Sequence, residues 1–227
     1  MATLKICGIT RFADLKLALR LGADYIGAIV QIPRSPRSLD EARATALLMA
    51  AAGRGVMVTE SESITQLEGF ARRCPLAAIQ LHGGQSEDHL RRLRQGALGA
   101  TEVWAVLSMS ADREQAGREI DSLIQRAQAF ADAGASRLVL DAKVRGVSGG
   151  TGVPVNWELA RQVIERAPVP VLLAGGITAH NAIAALGATG ARGLDVSSGV
   201  ERSPGVKSPA ALRSLVLAVR SRGAAST

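Results

Sequence analysis

Aromatic side chains are scarce in this sequence, at 3% of its 227 residues. Proteins that bind single-stranded nucleic acid combine stacking rings with clustered positive charge. The net charge here is +7, but the 27 lysines and arginines are scattered, and no basic block is interleaved with rings. The composition therefore argues against a nucleic-acid partner. A positive field instead favours the approach of an anionic small molecule.

Cysteine is also scarce, and Cys7 and Cys74 are the only two. They form no C-x-x-C pair and have no histidine at zinc-ligand spacing, so we predict no metal site. No motif in the sequence implies a redox cofactor or any other bound cofactor. In a reducing cytosol, both cysteines are expected to be free thiols.

Long apolar runs and a targeting segment are missing as well. No run approaches the ~20 apolar residues that a membrane span needs. The N-terminal stretch MATLKICGIT lacks the apolar core and the cleavage site of a signal peptide. We therefore expect a cytoplasmic protein that has no membrane partner.

The sequence does contain a repeated alternation of short apolar strands and amphipathic helices. This alternation predicts an α/β protein with a parallel sheet, and eight such units in this length predict one closed (β/α)8 TIM barrel. No linker or change of composition divides the chain, so we expect a single domain over residues 1–227. The predicted strands are residues 4–7, 25–30, 55–59, 76–81, 102–107, 137–142, 169–175 and 193–198.

Two residues at the C-terminal ends of predicted strands are candidates for proton transfer. Active sites of TIM barrels lie at this end. Cys7 ends the first strand, and Lys5, on the same side of that strand, would favour its thiolate. Asp141 ends the sixth strand, where partial desolvation would raise the pKa of its carboxyl and let it donate a proton. The alternatives are a small buried core residue for Cys7 and a loop-capping role for Asp141.

Glycines after the last two strands suggest a phosphate site. The stretch LAGGI places Gly175 and Gly176 after the seventh strand, and VSSG places Ser198 and Gly199 after the eighth. TIM barrels often hold a phosphate at these two loops, where backbone N–H groups point at the anion. Ordinary turn glycines are the alternative.

Two further residues, Arg37 and His82, are candidates for substrate binding, whereas Cys74 is not. Arg37, in the long loop after the second strand, has a planar fork that matches a carboxylate, although a loop arginine can also be a solvated surface charge. His82, after the fourth strand, either contacts substrate or is a hydrogen-bonded structural histidine. Cys74 has no acid, base or glycine loop beside it and is predicted to be structural. These residues predict an enzyme for a phosphorylated, carboxylated small molecule.

Short motifs along most of the chain carry a resemblance to a known family. They run from Lys5 to about Lys207, in the order KICGIT, SPRS, QLHG, VLD, GGTG, LAGGI and DVSSGVE. In this order they resemble the phosphoribosylanthranilate isomerases of tryptophan biosynthesis. The resemblance implies an aldose–ketose isomerase, an intramolecular oxidoreductase. Such an enzyme converts N-(5-phosphoribosyl)anthranilate to 1-(2-carboxyphenylamino)-1-deoxyribulose 5-phosphate by an Amadori rearrangement.

The resemblance also implies residue roles. Cys7 matches the family's general base and Asp141 its general acid. Arg37 matches the arginine that meets the anthranilate carboxylate, and Asp195 matches a residue that lines the sugar pocket. The phosphate loops of the family match Gly175, Gly176, Ser198 and Gly199.

The sequence departs from the family pattern at two places. The usual GFVF of the second strand reads GAIV, so Ala28 and Val30 replace rings and are expected to enlarge the room beside the aglycone. The usual lysine and FDW after GGTG read VPVNW, with Val153, Val155 and Asn156. Both departures put the identity of the aromatic group in doubt more than the type of reaction.

Two other functions stay open at this point. One is the same Amadori chemistry on a different amine-linked phosphosugar. The other is a barrel that binds a phosphosugar without turnover, which the presence of both Cys7 and Asp141 disfavours. A histidine-pathway isomerase is disfavoured because that relative uses a pair of aspartates, and residue 7 here is cysteine. Neither a monomer nor a homodimer is favoured by the sequence.

Overall fold

The computed structural model describes residues 1–144, 147–148 and 155–224. Eight parallel strands pair in chain order, and the first strand pairs with both the second and the eighth, so the sheet closes into a barrel. The predicted (β/α)8 architecture is therefore confirmed. The barrel strands are β1 (Thr3–Ile6), β2 (Tyr25–Val30), β3 (Gly55–Thr59), β4 (Leu76–Leu81), β5 (Glu102–Ser110), β6 (Arg137–Val144), β7 (Val171–Leu173) and β8 (Gly193–Val196).

A helix follows each barrel strand and packs on the outside of the barrel. Six of the helices begin at a serine, aspartate or asparagine whose side chain accepts the N–H of the third helical residue, as at Asp40 and Ser86. The helices are α1 (Phe12–Leu21), α2 (Glu41–Met49), α3 (Ile64–Arg73), α4 (Glu87–Gln95), α5 (Arg113–Asp132), α6 (Trp157–Arg166), α7 (Ala182–Thr189) and α8 (Pro209–Ala224). Within the described part of the chain, no helix is both long and apolar enough to cross a membrane.

Several strand boundaries differ from the prediction. β1 ends at Ile6, so Cys7 lies just beyond the strand and not in it. β7 was predicted over residues 169–175 but spans only Val171–Leu173. Pro170 before it has no N–H for the sheet, and Gly175 after it has a left-handed backbone with φ of 82°. The apolar runs correctly marked the strands, but turn chemistry set their ends.

The interior of the barrel and the layer between barrel and helices are separate apolar clusters. Ala28 and Val30 belong to the outer layer, whereas Ile29 packs on the inner cluster and lines the pocket described below. Successive side chains of a strand point to opposite faces. The prediction that Ala28 and Val30 enlarge the substrate site is therefore wrong, because both side chains face the helices.

Two short additions lie at the C-terminal end of the barrel. Ser38–Leu39, in the loop after β2, pairs with the end of that strand. After β8, a 3-10 turn over Ser198–Val200 leads into an antiparallel hairpin of Glu201–Ser203 and Val206–Lys207. The hairpin carries Glu201 and Lys207, and Arg37 directly precedes Ser38–Leu39.

Candidate active site

The main pocket is a cavity of about 500 Å³ at the C-terminal end of the barrel. Every residue that the sequence placed in the site lines it, and the roles of these residues stay predictions. Strand order brings the ends of β6, β7, β8, β1 and β2 around one half of the mouth. The predicted residues that line the pocket are Cys7, Arg37, His82, Asp141, Gly175, Gly176, Asp195, Ser198 and Gly199.

Cys7 lies at the floor of this pocket and is almost fully buried. Burial raises the pKa of its thiol, and the ammonium of Lys5 opposes that rise. Lys5 is completely buried, with Nζ 2.7 Å from both Gln80 Oε1 and Asp195 Oδ2. Burial opposes the charge on Lys5, but Asp195 and Cys7 outweigh it and raise the pKa of that ammonium. Lys5 thus acts on the thiol in the predicted direction but does not outweigh burial, and the pKa of Cys7 stays above its ordinary value.

A glycine on β2 makes room for this network. A Cβ at Gly27 would lie 2.8 Å from Cys7 Sγ and 3.0 Å from Lys5 Cε. Any side chain at position 27 would therefore push on both groups at once. Gly27 was not among the predicted site residues. A glycine inside an otherwise apolar strand could have indicated it, because such a glycine often marks a close approach of another group to the backbone.

Gly27→Ala is expected to cost about 1–3 kcal/mol of stability by overpacking and to lower kcat/KM. Gly117→Ala is the matched control. Gly117 is an exposed position in α5 where an added Cβ meets nothing within 4 Å, so that change should stabilise by about 0.5–1 kcal/mol. Thermal unfolding and steady-state kinetics of both variants test this. Equal effects in the two variants would show that the inner barrel has spare room beside Cys7.

Asp141 lies at the C-terminal half of β6 and is 7% exposed. Burial raises the pKa of its carboxyl to about 7, and the nearby Asp195 adds to the rise. Its Oδ1 accepts the N–H of Ala142 at 2.8 Å. A carboxyl with this pKa is partly protonated near neutral pH and can act as a general acid.

Asp195, on β8, has one oxygen on Lys5 and one oxygen without a partner. Its Oδ1 is buried and, among the described residues, has no hydrogen-bond partner, and the same holds for Ser197 Oγ. Buried polar atoms are normally paired. Because both residues line the pocket, a polar ligand there would satisfy them.

The two glycine loops after β7 and β8 approach each other closely. Gly175 and Gly176 have positive φ of 82° and 62°. The Cα of Gly199 packs so tightly on the Ile177 carbonyl that a Cβ could not be accommodated. Glycine is therefore required at these positions by backbone shape, which leaves the backbone of both loops bare toward the pocket.

Arg37 is buried and held by Glu201, which contradicts the alternative of a solvated surface charge. Its Nε lies 2.9 Å and its Nη2 2.7 Å from the Glu201 carboxylate. Lys207 Nζ contacts the same carboxylate at 2.8 Å. Sequence reasoning missed Glu201 and Lys207 as parts of the site, although Glu201 stands in the DVSSGVE motif.

The remaining candidates lie at the edge of the site or outside it. Arg34, in the loop after β2, lines the pocket but is exposed and pairs with Glu60. Cys74 is buried directly after α3 and is not among the residues that line the pocket, and burial raises the pKa of its thiol to about 11. Asn156 caps α6 by accepting the N–H of Leu159, and Val155 is a core residue. The GGTG stretch and Val153 lie outside the described residues.

Comparison with known proteins gives this arrangement a family. The model of the N-(5'-phosphoribosyl)anthranilate (PRA) isomerase family matches residues 4–218. The chain belongs to the phosphoribosylanthranilate isomerase family. It is 37% identical over 210 residues to N-(5'-phosphoribosyl)anthranilate isomerase of Halorubrum lacusprofundi, which covers 91% of each chain.

Two further matches are a longer protein and a solved structure. The tryptophan biosynthesis protein TrpCF of Haemophilus influenzae is 33% identical over 203 residues, which are 89% of this chain and 39% of that protein. The phosphoribosyl anthranilate isomerase of Thermus thermophilus superposes with a TM-score of 0.77 at 28% identity, covering 97% of this chain and 99% of that one. The resemblance to this isomerase family expected from the motifs is confirmed.

Proposed function

We propose that this chain is a phosphoribosylanthranilate isomerase of tryptophan biosynthesis that uses Cys7 as base and Asp141 as acid. The observation that supports it most strongly is the placement of both groups in one pocket, at the ends of β1 and β6. The ends of β7 and β8, with their glycine loops, lie between these strands in the barrel. A phosphate held there would place a ribose between the thiol and the carboxyl.

The proposed chemistry needs one acid and one base. Asp141 protonates the furanose ring oxygen, the bond from C1′ to that oxygen breaks, and the nitrogen lone pair forms an iminium. Cys7, as thiolate, removes the C2′ proton, and the electron pair of that bond neutralises the iminium to give an enolamine. Tautomerisation of the enol gives the aminoketose. No electron acceptor is required, because the sugar itself is oxidised at C2′ and reduced at C1′.

The rest of the pocket supports binding of the same substrate. The bare backbone of Gly175, Gly176, Ser198 and Gly199 suits the phosphate. The oxygens of Asp195 and Ser197 that have no hydrogen-bond partner among the described residues suit sugar hydroxyls. His82 lines the pocket and is proposed as a substrate contact. The roles of Asp195 and of the glycine loops come from the resemblance to the family, whereas those of Ser197 and His82 rest on their place in the pocket.

Arg37 is proposed to bind the anthranilate carboxylate. Glu201 occupies Nε and Nη2, so Nη1 is the part of the fork left for a ligand. Arg37→Ala is expected to raise KM for the carboxylated substrate by about 2–3 kcal/mol, the worth of a charged hydrogen bond, or roughly 30- to 150-fold. KM for an aniline-linked analogue without the carboxylate should change little. A similar rise for both substrates would mean that Arg37 is only structural.

A turnover assay on the purified protein tests the proposed function. Phosphoribosylanthranilate is generated in situ and the decay of its fluorescence is followed, with a Cys7→Ala variant beside it. Rapid decay that is lost in the variant supports the proposal. No decay from well-folded protein would favour a different amine-linked phosphosugar, and a screen of such substrates would follow. Growth rescue of a tryptophan auxotroph tests the biological role.

The setting of the enzyme is proposed from the sequence. We expect residues 1–227 to form one domain, in the cytoplasm, as a monomer or a homodimer. One alternative function, the same chemistry on a different amine-linked phosphosugar, has lost part of its support. Ala28 and Val30 face the helices, so the argument that they accept another aglycone no longer holds.

A further inference from the structure

A buried ion pair, Glu201 and Lys207, contacts residues that line the active-site pocket. Glu201 and Lys207 face each other across the hairpin that follows β8, and their side chains are 5% and 0% exposed. Neither residue lines the pocket, but Arg37, Cys7 and Ser197, which they contact, all do. Any influence of the pair on the reaction therefore passes through other residues.

Lys207 ties two strand ends together. Its Nζ lies 2.6 Å from the carbonyl oxygen of Cys7 and 3.1 Å from that of Ser197, besides 2.8 Å from Glu201 Oε1. An ammonium has three N–H donors, and each has an acceptor here. The backbone after β1 and the backbone after β8 are thus fixed to one point.

Glu201 fixes the arginine. Its carboxylate accepts Arg37 Nε at 2.9 and 3.1 Å and Arg37 Nη2 at 2.7 Å. It also accepts the N–H of Gly205 at 3.3 Å. Gly8 completes the contact, because a Cβ there would lie 2.6 Å from Arg37 Cδ. One carboxylate therefore sets the direction of the whole guanidinium.

Stability does not explain these buried charges. Burying two ions is costly, and well-packed apolar residues often serve a fold equally well. The pair instead joins the proposed base and the proposed carboxylate-binding arginine in one rigid unit. We infer that Glu201 and Lys207 are positioning residues of the isomerase reaction. Lys207 holds the backbone of Cys7 and places a positive charge near its thiol, and Glu201 orients the guanidinium of Arg37. This inference rests on the proposed function for its catalytic part.

Alkylation of Cys7 tests Lys207 without any turnover. In a Cys74→Ala background, only Cys7 reacts with iodoacetamide, and it reacts as the thiolate. Lys207→Met removes a positive charge near the sulfur, so the alkylation rate at pH 8 should fall about tenfold, equivalent to a rise of about one unit in the pKa of the thiol. A merely structural role predicts the opposite sign, because a loosened pocket exposes Cys7. An unchanged or faster rate overturns the inference for Lys207.

Steady-state kinetics test Glu201. Glu201→Gln should raise KM for the carboxylated substrate at least tenfold, with a smaller change of kcat and little change of KM for the aniline-linked analogue. Equal losses with both substrates overturn the inference for Glu201. Glu165→Gln is the matched control, because Glu165 forms an exposed ion pair with Arg161, and it should leave both readouts unchanged.

A double variant keeps the test valid if a single change prevents folding. Glu201→Gln with Lys207→Met removes one buried charge of each sign, so the summed charge of the cluster with Arg37 does not change, and the new amide oxygen can still accept a hydrogen bond from Arg37. It should fold and still show the slower alkylation and the higher KM for the carboxylated substrate. A folded double variant with wild-type alkylation and kinetics overturns the inference. If the wild-type protein does not turn over phosphoribosylanthranilate, the proposed function fails, whereas the alkylation result for Lys207 stands or falls separately.

Discussion

Replacement of Cys7 by serine is expected to lower kcat/KM by about 10²- to 10⁴-fold, the usual contribution of a general base. A hydroxyl has nearly the shape of the thiol but is a far weaker acid, so almost none of it is ionised at any working pH. The backbone carbonyl of Cys7 is held by Lys207 and does not depend on the side chain. The free energy of unfolding should therefore change by less than about 1 kcal/mol.

The control for Cys7→Ser is Cys74→Ala. Cys74 is buried at the end of α3, so its loss should lower the melting temperature while kcat stays the same. Fluorescence decay of the substrate and thermal unfolding of both variants give the comparison. A Cys7→Ser enzyme with near-normal turnover would exclude the thiolate as base. A large loss of stability instead of activity would make Cys7 a packing residue, the alternative raised by its burial.

The barrel could be predicted from the sequence because eight apolar runs are spaced by helical stretches, and this pattern needs no knowledge of which face a residue occupies. The positions of Cys7 and Asp141 followed from the same reasoning, because residues just after parallel strands must meet at one end of a barrel. Their partnership in one pocket is a consequence of topology.

The faces of β2 could not be predicted for a physical reason. Its residues are apolar on both sides, because a barrel strand is buried on both faces, so the run YIGAIV carries no alternation to fix which side chains point inward. Gly27 and Ile29 therefore went unnoticed in favour of Ala28 and Val30. In β1, by contrast, the polar Lys5 marks the inner face.

The Glu201–Lys207 pair was beyond sequence reasoning because its contacts are long-range. Glu201 meets Arg37 across 164 residues, and Lys207 meets Cys7 across 200. Nothing in a charged hairpin after a 3-10 turn distinguishes a buried ion pair from a solvated one. Only the closure of β1 against β8 brings these groups together.

Asp141→Asn is expected to abolish turnover and, at the same time, to stabilise the protein at alkaline pH. Asparagine keeps the shape of the protonated acid and can still accept the N–H of Ala142, but it has no proton to give. The carboxyl of Asp141 has a pKa of about 7 in the folded protein, raised by burial from its ordinary value of 3.8. Folding therefore works against the ionised form of this side chain.

The sign of the stability effect follows from proton linkage. Between the unfolded and the folded pKa, the folded state binds more protons than the unfolded state, so the contribution of Asp141 to stability falls as the pH rises from about 4 to about 7. At 1.36 kcal/mol per pKa unit, the shift from 3.8 to about 7 makes the cost at pH 8 about 4 kcal/mol. Asparagine avoids this cost, so the variant should gain stability at pH 8 and lose that gain toward pH 4.

Urea unfolding of the wild-type protein and Asp141→Asn at pH 4, 6 and 8, with kcat at pH 8, measures both effects. A loss of activity with a pH-dependent gain in stability would show that the carboxyl of Asp141 is needed for turnover and that burying its ionised form lowers the stability of the fold. Loss of activity with loss of stability at every pH would instead assign Asp141 a structural role as a loop cap. Retained activity would move the acid to another group, and Asp195, whose Oδ1 faces the same pocket without a partner among the described residues, would be the next carboxylate to replace.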